Sequence, residues 1–132
     1  MNRIAEILAS ARTIAVVGLS SKRFRPSFGV AEYMRRAGYR IIPVNPFERE
    51  IFSEQAWPDL DAVPGPVDIV SIFRRSEFVP EIVEAAIRKG VKAIWMQEGV
   101  MHEAAARRAR EAGIEVAMDR CILKDHRRLA YA

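Results

Sequence analysis

The stretch 79-VPEIVEAAIRKGVKAIWM-96 joins a helical pattern to a strand pattern across one glycine. Its first half repeats apolar residues every three or four positions, which is one helical face: Val79, Ile82, Val83, Ala86 and Ile87. Pro80 suits the first turn of this helix, and Ser76 is expected to cap it. Gly90 can take the left-handed conformation that ends many helices. Gly38 and Gly113 also separate a helical pattern from a strand, so we predict repeated helix–strand units.

Five apolar runs are nearly continuous in hydrophobicity: Thr13–Leu19, Tyr39–Val44, Val67–Phe73, Val91–Met96 and Ile114–Met118. This pattern is typical of parallel strands covered on both faces, and each gap leaves room for a crossover connection. Residues 1–132 are therefore predicted to form a single α/β domain with a three-layer, doubly wound Rossmann-like fold. The expected sheet is mainly parallel with five strands in the order 3-2-1-4-5, and its crevice lies between the first and fourth runs.

The connecting segments differ in character. Ser27 is expected to cap the helix after the first run, and further helices are predicted from about Met101 to Ala112 and over Cys121–Leu129. The segment Pro46–Pro66 contains four prolines and little helical periodicity. We predict a loop there, with room for one short helix.

Composition excludes several protein classes. With 50% hydrophobic residues the chain is not disordered as a whole, and its one cysteine, Cys121, cannot form an internal disulfide. No apolar stretch approaches the roughly 20 residues that cross a bilayer, and no secretory signal precedes the first run. We expect a soluble cytoplasmic domain without a membrane partner. Of 21 basic residues 17 are arginine, the side chain best suited to phosphate oxygens.

Cations follow the carboxyl ends of several predicted strands. In a doubly wound sheet, ligands bind beyond those ends, where the strand order reverses. Free amides, a helix N-terminus and arginines there suit a phosphate. Taken alone, each turn also fits a solvated polar loop, but together they favour an anionic ligand: Lys22, Arg23, Arg25, Arg74, Arg75 and Arg120.

Candidate ligand-binding residues come from four of these turns. They are Gly18, Ser20, Ser21, Arg25, Pro26 and Ser27 after the first run, Asn45 and Pro46 after the second, Phe73, Arg74, Arg75 and Val79 after the third, and Gln97, Glu98 and Gly99 after the fourth. Val79 and Pro80 are expected to form an apolar wall for an adenine. Whether Lys22, Arg23 or Cys121 contacts the ligand stays open.

No catalytic constellation is evident. His102 and His126 have no second ligand at metal spacing, and one cysteine cannot build a zinc site. Ser20 and Ser21 lack the nucleophile-elbow pattern. We therefore expect a binding site without catalytic residues and without a metal.

Ordered motifs along nearly the whole chain resemble the small CoA-binding-domain proteins, single-domain relatives of the nucleotide-binding part of the succinyl-CoA synthetase alpha subunit. The motifs are Val17–Ser20, Arg25–Ser27, Tyr39–Pro46, Val67–Arg75, Trp95–Gly99 and Met118–Cys121. The resemblance implies a Rossmann-like fold that binds coenzyme A (CoA), with the first turn near the phosphates and the third near the adenine. It places Gln97 and Gly99 beside the pantetheine. The synthetase's phosphohistidine domain has no counterpart here, so ligase activity is not implied.

The predicted function is non-catalytic binding of the nucleotide ligand CoA, or of an acyl-CoA, in a sensor or carrier. An NAD- or NADP-binding redox or regulatory domain is an alternative, although Asn45 stands where an acidic residue usually holds the ribose. A second alternative is an interaction module for a synthetase-like partner; the protein partner itself is unknown. Nucleic-acid binding is not expected, because the basic residues lack interleaved aromatic residues.

Overall fold

The computed structural model describes residues 3–130, which form helices on both faces of a sheet. The helices are α1 (Arg3–Ser10), α2 (Pro26–Arg36), α3 (Val79–Lys89), α4 (Glu103–Glu111) and α5 (Ile122–Ala130). The strands are β1 (Thr13–Val17), β2 (Arg40–Val44), β3 (Glu50–Ile51), β4 (Glu54–Gln55), β5 (Ile69–Ile72), β6 (Ala93–Met96) and β7 (Glu115–Met118). The predicted three-layer α/β fold is confirmed.

The main sheet is parallel, with the order β2-β1-β5-β6-β7, and β3 and β4 form a separate antiparallel pair. Side chains alternate between two apolar cores along each strand. Ala15 and Val17 of β1 face α3 and α4, whereas Ile14 and Val16 face α1, α2 and α5. Burial on both faces explains why the strands are continuously apolar.

The predicted order 3-2-1-4-5 holds only when a rudimentary strand at Trp57 is counted as the third. Trp57 forms a parallel bridge with Val44 at the sheet edge, where the sequence pattern had placed the run 67–73. That run instead supplies β5, which pairs with β1. All four β5 residues are buried, so this strand requires neighbours and helices on both sides. The crevice consequently lies between β1 and β5, not between the first and fourth runs.

Three local predictions are wrong, two of them because another hydrogen bond takes the expected capping group. Arg25, not Ser27, is the N-cap of α2, and the Ser27 hydroxyl accepts from the Ser20 amide at 3.1 Å. The Ser76 hydroxyl accepts from the Met101 amide at 2.9 Å rather than capping α3. The segment 46–66 contains the β3–β4 hairpin and no helix among its described residues.

Other helix boundaries agree with the sequence. Pro80 lies in the first turn of α3, and Gly90 ends that helix with a left-handed φ of 71°. Helix α1 was not predicted. It packs Ile7 and Leu8 against the core beside α2 and α5. No helix within residues 3–130 is long and apolar enough to cross a membrane.

Candidate ligand-binding site

The two turns that flank the crevice touch at Gly18. This residue has a φ of +90°, and a Cβ built on it would lie 2.3 Å from the Phe73 carbonyl oxygen. Its amide donates to the Val44 carbonyl at 2.8 Å, which ties the end of β1 to the end of β2. Only glycine fits here, because both the conformation and the close approach exclude a side chain.

The loop after β1 folds back onto the start of α2. The Ser20 amide donates to the Ser27 hydroxyl, and the Lys22 amide donates to the Ser20 hydroxyl, both at 3.1 Å. Both hydroxyls therefore act as acceptors inside the protein, while each O–H can still donate to a ligand. The expected phosphate loop is thus pre-formed by its own serines.

Three depressions follow the carboxyl ends of the strands. The basic depression lies between the loops after β1 and β2 and is lined by Gly18, Ser20, Lys22, Arg25, Pro26, Ser27, Asn45, Phe47, Glu48 and Phe73. The outer depression lies between the end of β2 and α3 and is lined by Val44, Pro46, Leu60, Arg74, Ile82 and Arg88, among others. The apolar depression is lined by Pro26, Val30, Phe73, Arg74, Gln97, Glu98, Val100 and Cys121.

These depressions adjoin, because they share walls. Pro26 and Phe73 line both the basic and the apolar depression, and Arg74 lines both the apolar and the outer one. We refer to the three together as the carboxyl-edge groove. It offers a long ligand one cationic compartment, one mainly apolar compartment and an outer compartment of mixed character, whose walls include Asp59, Asp61 and Glu81.

Arg74 is the cation at the junction. Its guanidinium lies 4.4 Å from the centre of the Phe78 ring, a cation–π contact that holds the side chain over the groove. Arg25 stacks similarly on Phe24, at 5.6 Å, and lines the basic depression. Within residues 3–130 neither arginine has a carboxylate at ion-pair distance. Their charges are thus available to an anion.

Other members of the predicted cation cluster lie elsewhere. Arg75 is exposed, approaches Glu77 at 4.0 Å and lines none of the three depressions. Arg120 donates to the Asp125 carboxylate at 2.7 Å, and the buried Asp125 also accepts from the Trp95 indole at 2.9 Å. Arg120 therefore serves the packing of α5.

Both polar atoms of the Asn45 side chain form hydrogen bonds within the protein. Its side-chain amide donates to the Leu19 carbonyl at 3.0 Å, and its side-chain oxygen accepts from the Phe47 amide at 2.9 Å. The residue clips the turn after β2 to the loop after β1. Asn45 lines the basic depression, and its side-chain polar atoms are taken by these two internal hydrogen bonds.

The turn after β6 contains three predicted ligand-binding residues, which differ in burial and in their hydrogen-bond partners. Gln97 is buried, and its side-chain amide donates to the Ser71 hydroxyl at 2.8 Å, which leaves its carbonyl oxygen as an acceptor at the groove. Glu98 accepts from Lys124 at 2.9 Å, and this hydrogen bond raises the pKa of the Lys124 ammonium. The Gly99 amide donates to Asp119 at 2.7 Å, outside the groove walls.

The expected adenine wall at Val79 and Pro80 is wrong. Val79 has no exposed surface, because it packs into the core from the first turn of α3. Pro80 lies in a separate depression between α3 and α4. Pro46, Leu60 and Ile82 are apolar residues that line the outer depression.

Two residues of the basic depression were missed by sequence reasoning, Phe47 and Glu48. Phe47 is 93% exposed, and the Glu48 carboxylate accepts from the Ser21 amide at 2.8 Å. Both follow Asn45 and Pro46 at a carboxyl strand end, which is the signal that could have identified them. Ser21 is exposed and does not line the basic depression; its backbone amide donates to Glu48.

The histidines lie away from this groove. The His102 ring caps α4 by accepting from the Ala105 amide at 3.1 Å. His126 contacts the Tyr33 hydroxyl at 3.0 Å, and burial lowers the pKa of its imidazole. Among the described residues no group of three His, Cys, Asp or Glu could hold a metal ion.

Comparison with known proteins identifies the family. The sequence model described as a CoA binding domain matches residues 12–127. The chain belongs to the CoA-binding-domain family. It is 42% identical over 123 residues to the uncharacterized protein YneT of Bacillus subtilis, covering 93% of this chain and 91% of that protein. The resemblance inferred from the motifs is thereby confirmed.

Two further comparisons relate this CoA-binding domain to other proteins. A solved structure from Thermus thermophilus superposes with a TM-score of 0.92 at 36% identity, covering 98% of this chain and 99% of that one. The acetate–CoA ligase [ADP-forming] II of Archaeoglobus fulgidus is 28% identical over 95 residues. That alignment covers 70% of this chain but only 14% of the ligase.

Proposed function

We propose that this protein binds CoA or an acyl-CoA in the carboxyl-edge groove and does not catalyse a reaction on it. The observation that carries the proposal is the layout of the groove: the basic depression adjoins the apolar depression at Pro26 and Phe73, and Arg74 joins the apolar depression to the outer one. CoA has three parts to place, an adenosine, a chain of phosphates and a pantetheine arm, and the groove has three compartments. The family and the ligase relative support this choice of ligand.

Each compartment suits one part of the ligand. The phosphates would lie in the basic depression, held by the hydroxyls of Ser20 and Ser27 and by Arg25. Gly18 fits this role, because a side chain there would collide with the Phe73 backbone beside the phosphates. CoA carries roughly four negative charges near neutral pH, counting a phosphomonoester with a second pKa of about 6. A cationic compartment attracts such a ligand.

The remaining parts are assigned to the two other depressions, since the outer one begins at Pro46, next to Asn45 of the basic one, and the apolar one shares Pro26 and Phe73 with it. The adenine would rest against Pro46 in the outer depression, and the pantetheine would extend into the apolar depression past Gln97. Its thiol, or a short acyl group, would then lie near Cys121. Lys22 joins the phosphate site, whereas Arg75 and Gly99 stay outside the walls of the groove.

Calorimetric titration with CoA, dephospho-CoA and NADP tests the proposal. We expect CoA to bind, and an Arg74→Ala variant to bind it at least tenfold more weakly. Arg75→Ala is the matched control, since it removes the same charge from the neighbouring residue outside the groove. Its affinity should change less than threefold. Absence of heat with both CoA forms contradicts the proposal, and tighter binding of NADP than of CoA favours a dinucleotide-binding domain.

A further inference from the structure

A carboxylate occupies the depression that we assign to phosphate. Glu48 is the acidic residue lining the basic depression, beside the cations Lys22 and Arg25. Its Oε2 accepts from the Ser21 amide at 2.8 Å. A backbone N–H in a loop before a helix is the kind of donor that phosphate itself uses.

The position of Glu48 is built into the fold. The Glu48 amide donates to the Asn45 carbonyl at 3.3 Å, and Asn45 clips the same turn to Leu19 through its side chain. The turn after β2 is thereby fixed against the loop after β1, and the Glu48 side chain bridges the two. The bridge spans 27 positions of sequence, so no local turn geometry accounts for it.

The Glu48 carboxylate is bonded to a backbone amide and not to a neighbouring cation. Within the described part of the chain, Glu48 forms no ion pair, although Lys22 and Arg25 line the same depression. The Glu48 carboxylate accepts instead from the Ser21 amide, which lies between two residues that line the proposed phosphate site, Ser20 and Lys22. A phosphate and this carboxylate would repel each other and share one donor.

We infer that Glu48 is an internal competitor for the anionic ligand: it holds the Ser21 amide while the groove is empty, and a phosphate must displace it to bind. This inference rests on the proposed function and names what limits affinity at that site. A polyanion such as CoA gains enough from Arg25 and Arg74 to displace the carboxylate, while a small monoanion does not. Glu48 is thus a determinant of both affinity and selectivity.

Glu48→Gln tests this inference, because it removes the charge and keeps the size of the side chain. Glu50→Gln is the matched control: Glu50 is exposed in the same segment and outside the depression. Calorimetry should show about tenfold tighter CoA binding for Glu48→Gln and less than twofold change for Glu50→Gln. In proton–nitrogen NMR spectra, the Ser21 amide resonance should shift both in Glu48→Gln and when CoA is added to the wild type.

The outcomes separate the inference from the proposed function. If wild type binds CoA but Glu48→Gln binds it equally or more weakly, the inference is overturned and the proposed function stands. A Ser21 resonance that does not respond to CoA also overturns the inference. If none of the three proteins binds CoA, the proposed function fails, and the inference fails with it.

Discussion

Two groups of charges, one at each edge of the main sheet, are used in opposite ways. At the amino edge, the Asp68 carboxylate accepts from the amides of Arg12 and Thr13 at 2.8 and 3.2 Å, and Lys92 approaches it at 3.8 Å. At the carboxyl edge, Arg25 and Arg74 have no carboxylate at ion-pair distance within residues 3–130. A charge with a built-in partner holds the fold, and a charge without one is available to a ligand.

The largest expected effect is at the carboxyl edge, in Gly18→Ala. The added Cβ would meet the Phe73 carbonyl oxygen at 2.3 Å, and the left-handed backbone alone costs an L-residue roughly 1–2 kcal/mol. We expect a loss of about 3 kcal/mol in the free energy of unfolding, measured by urea denaturation, together with loss of CoA binding.

Gly29→Ala is the control for this substitution. Gly29 lies within α2, and a Cβ there would meet nothing within 4 Å. Alanine in that position should stabilise the protein by about 0.5–1 kcal/mol, because it is the better helix former. Similar losses in both variants would mean that the contact between the β1 and β5 turns is not the cause.

The next effect is at the amino edge, in Asp68→Asn. Burial acts to raise the pKa of Asp68, but the hydrogen bonds from Arg12 and Thr13, with Lys92, outweigh it and hold the pKa below its usual value. The charged form therefore stabilises the fold. We expect Asp68→Asn to lose about 2 kcal/mol at neutral pH, the scale of hydrogen bonds to a charged group.

The pH dependence of this variant has a definite sign. In the wild type, the stability from Asp68 is complete above the ordinary carboxyl pKa of 3.8 and is lost as pH falls through the lower value of the folded state. Asp68→Asn should lack this acid-side loss in thermal melts between neutral pH and pH 2. Asp61→Asn, which breaks an exposed pair with Arg88, should cost less at neutral pH. Equal costs would contradict the contrast.

The sequence reveals the layers of this fold better than its site. Continuous apolar runs and helix–glycine–strand order identify the strands of the main sheet, because burial on two faces shows in each strand's own residues. The position of Trp57 at the sheet edge does not show in its own segment, since it depends on one bridge to Val44. Helix α1 was missed although Ile4, Ile7, Leu8 and Ala11 recur at helical spacing and pack against the core.

The candidate site shows the same division. Gly18 and Arg74 could be placed from strand ends alone, whereas the roles of Ser27 and Glu48 depend on partners distant in sequence. Val79 is a different case. Its helical periodicity already put it on the apolar face, so its assignment to the ligand contradicted the pattern that predicted the helix.

A smaller effect is the dependence of CoA affinity on ionic strength, which should change with a cation at the carboxyl edge and not with one at the amino edge. Screening at 0.1 M salt acts over about 10 Å, so CoA affinity should fall several-fold between 50 and 300 mM NaCl. Arg74→Ala should flatten this dependence, because one unpaired cation of the groove is gone. Lys92→Ala, at the amino edge, is the control and should keep the wild-type slope. Equal slopes in all three proteins would show that the bound ligand does not sense the charge of Arg74.

The smallest expected effect concerns residues with a left-handed backbone, and it distinguishes backbone strain from the side-chain contacts that hold these residues in place. Phe52 and Ser53 form the turn between β3 and β4 with φ of 57° and 62°, in the left-handed region. Phe52 packs against Phe28, with ring centres 5.1 Å apart, so Ser53 is the residue to change. Ser53→Gly should raise stability by about 0.5 kcal/mol, since relief of strain exceeds the added entropy of the unfolded chain.

Asp119, at the carboxyl edge, provides the counterpart. Its φ of 57° lies in the same left-handed region, which Asp tolerates better than most residues, and its carboxylate accepts from the Gly99 amide at 2.7 Å. Asp119→Gly relieves the backbone and loses that hydrogen bond, so its melting temperature should not rise, while that of Ser53→Gly does. If both variants gain equally, the Asp119–Gly99 bond contributes nothing, and the turn after β6 is held by its backbone alone. If neither gains, the left-handed residues are not strained, and packing sets their conformation at both edges.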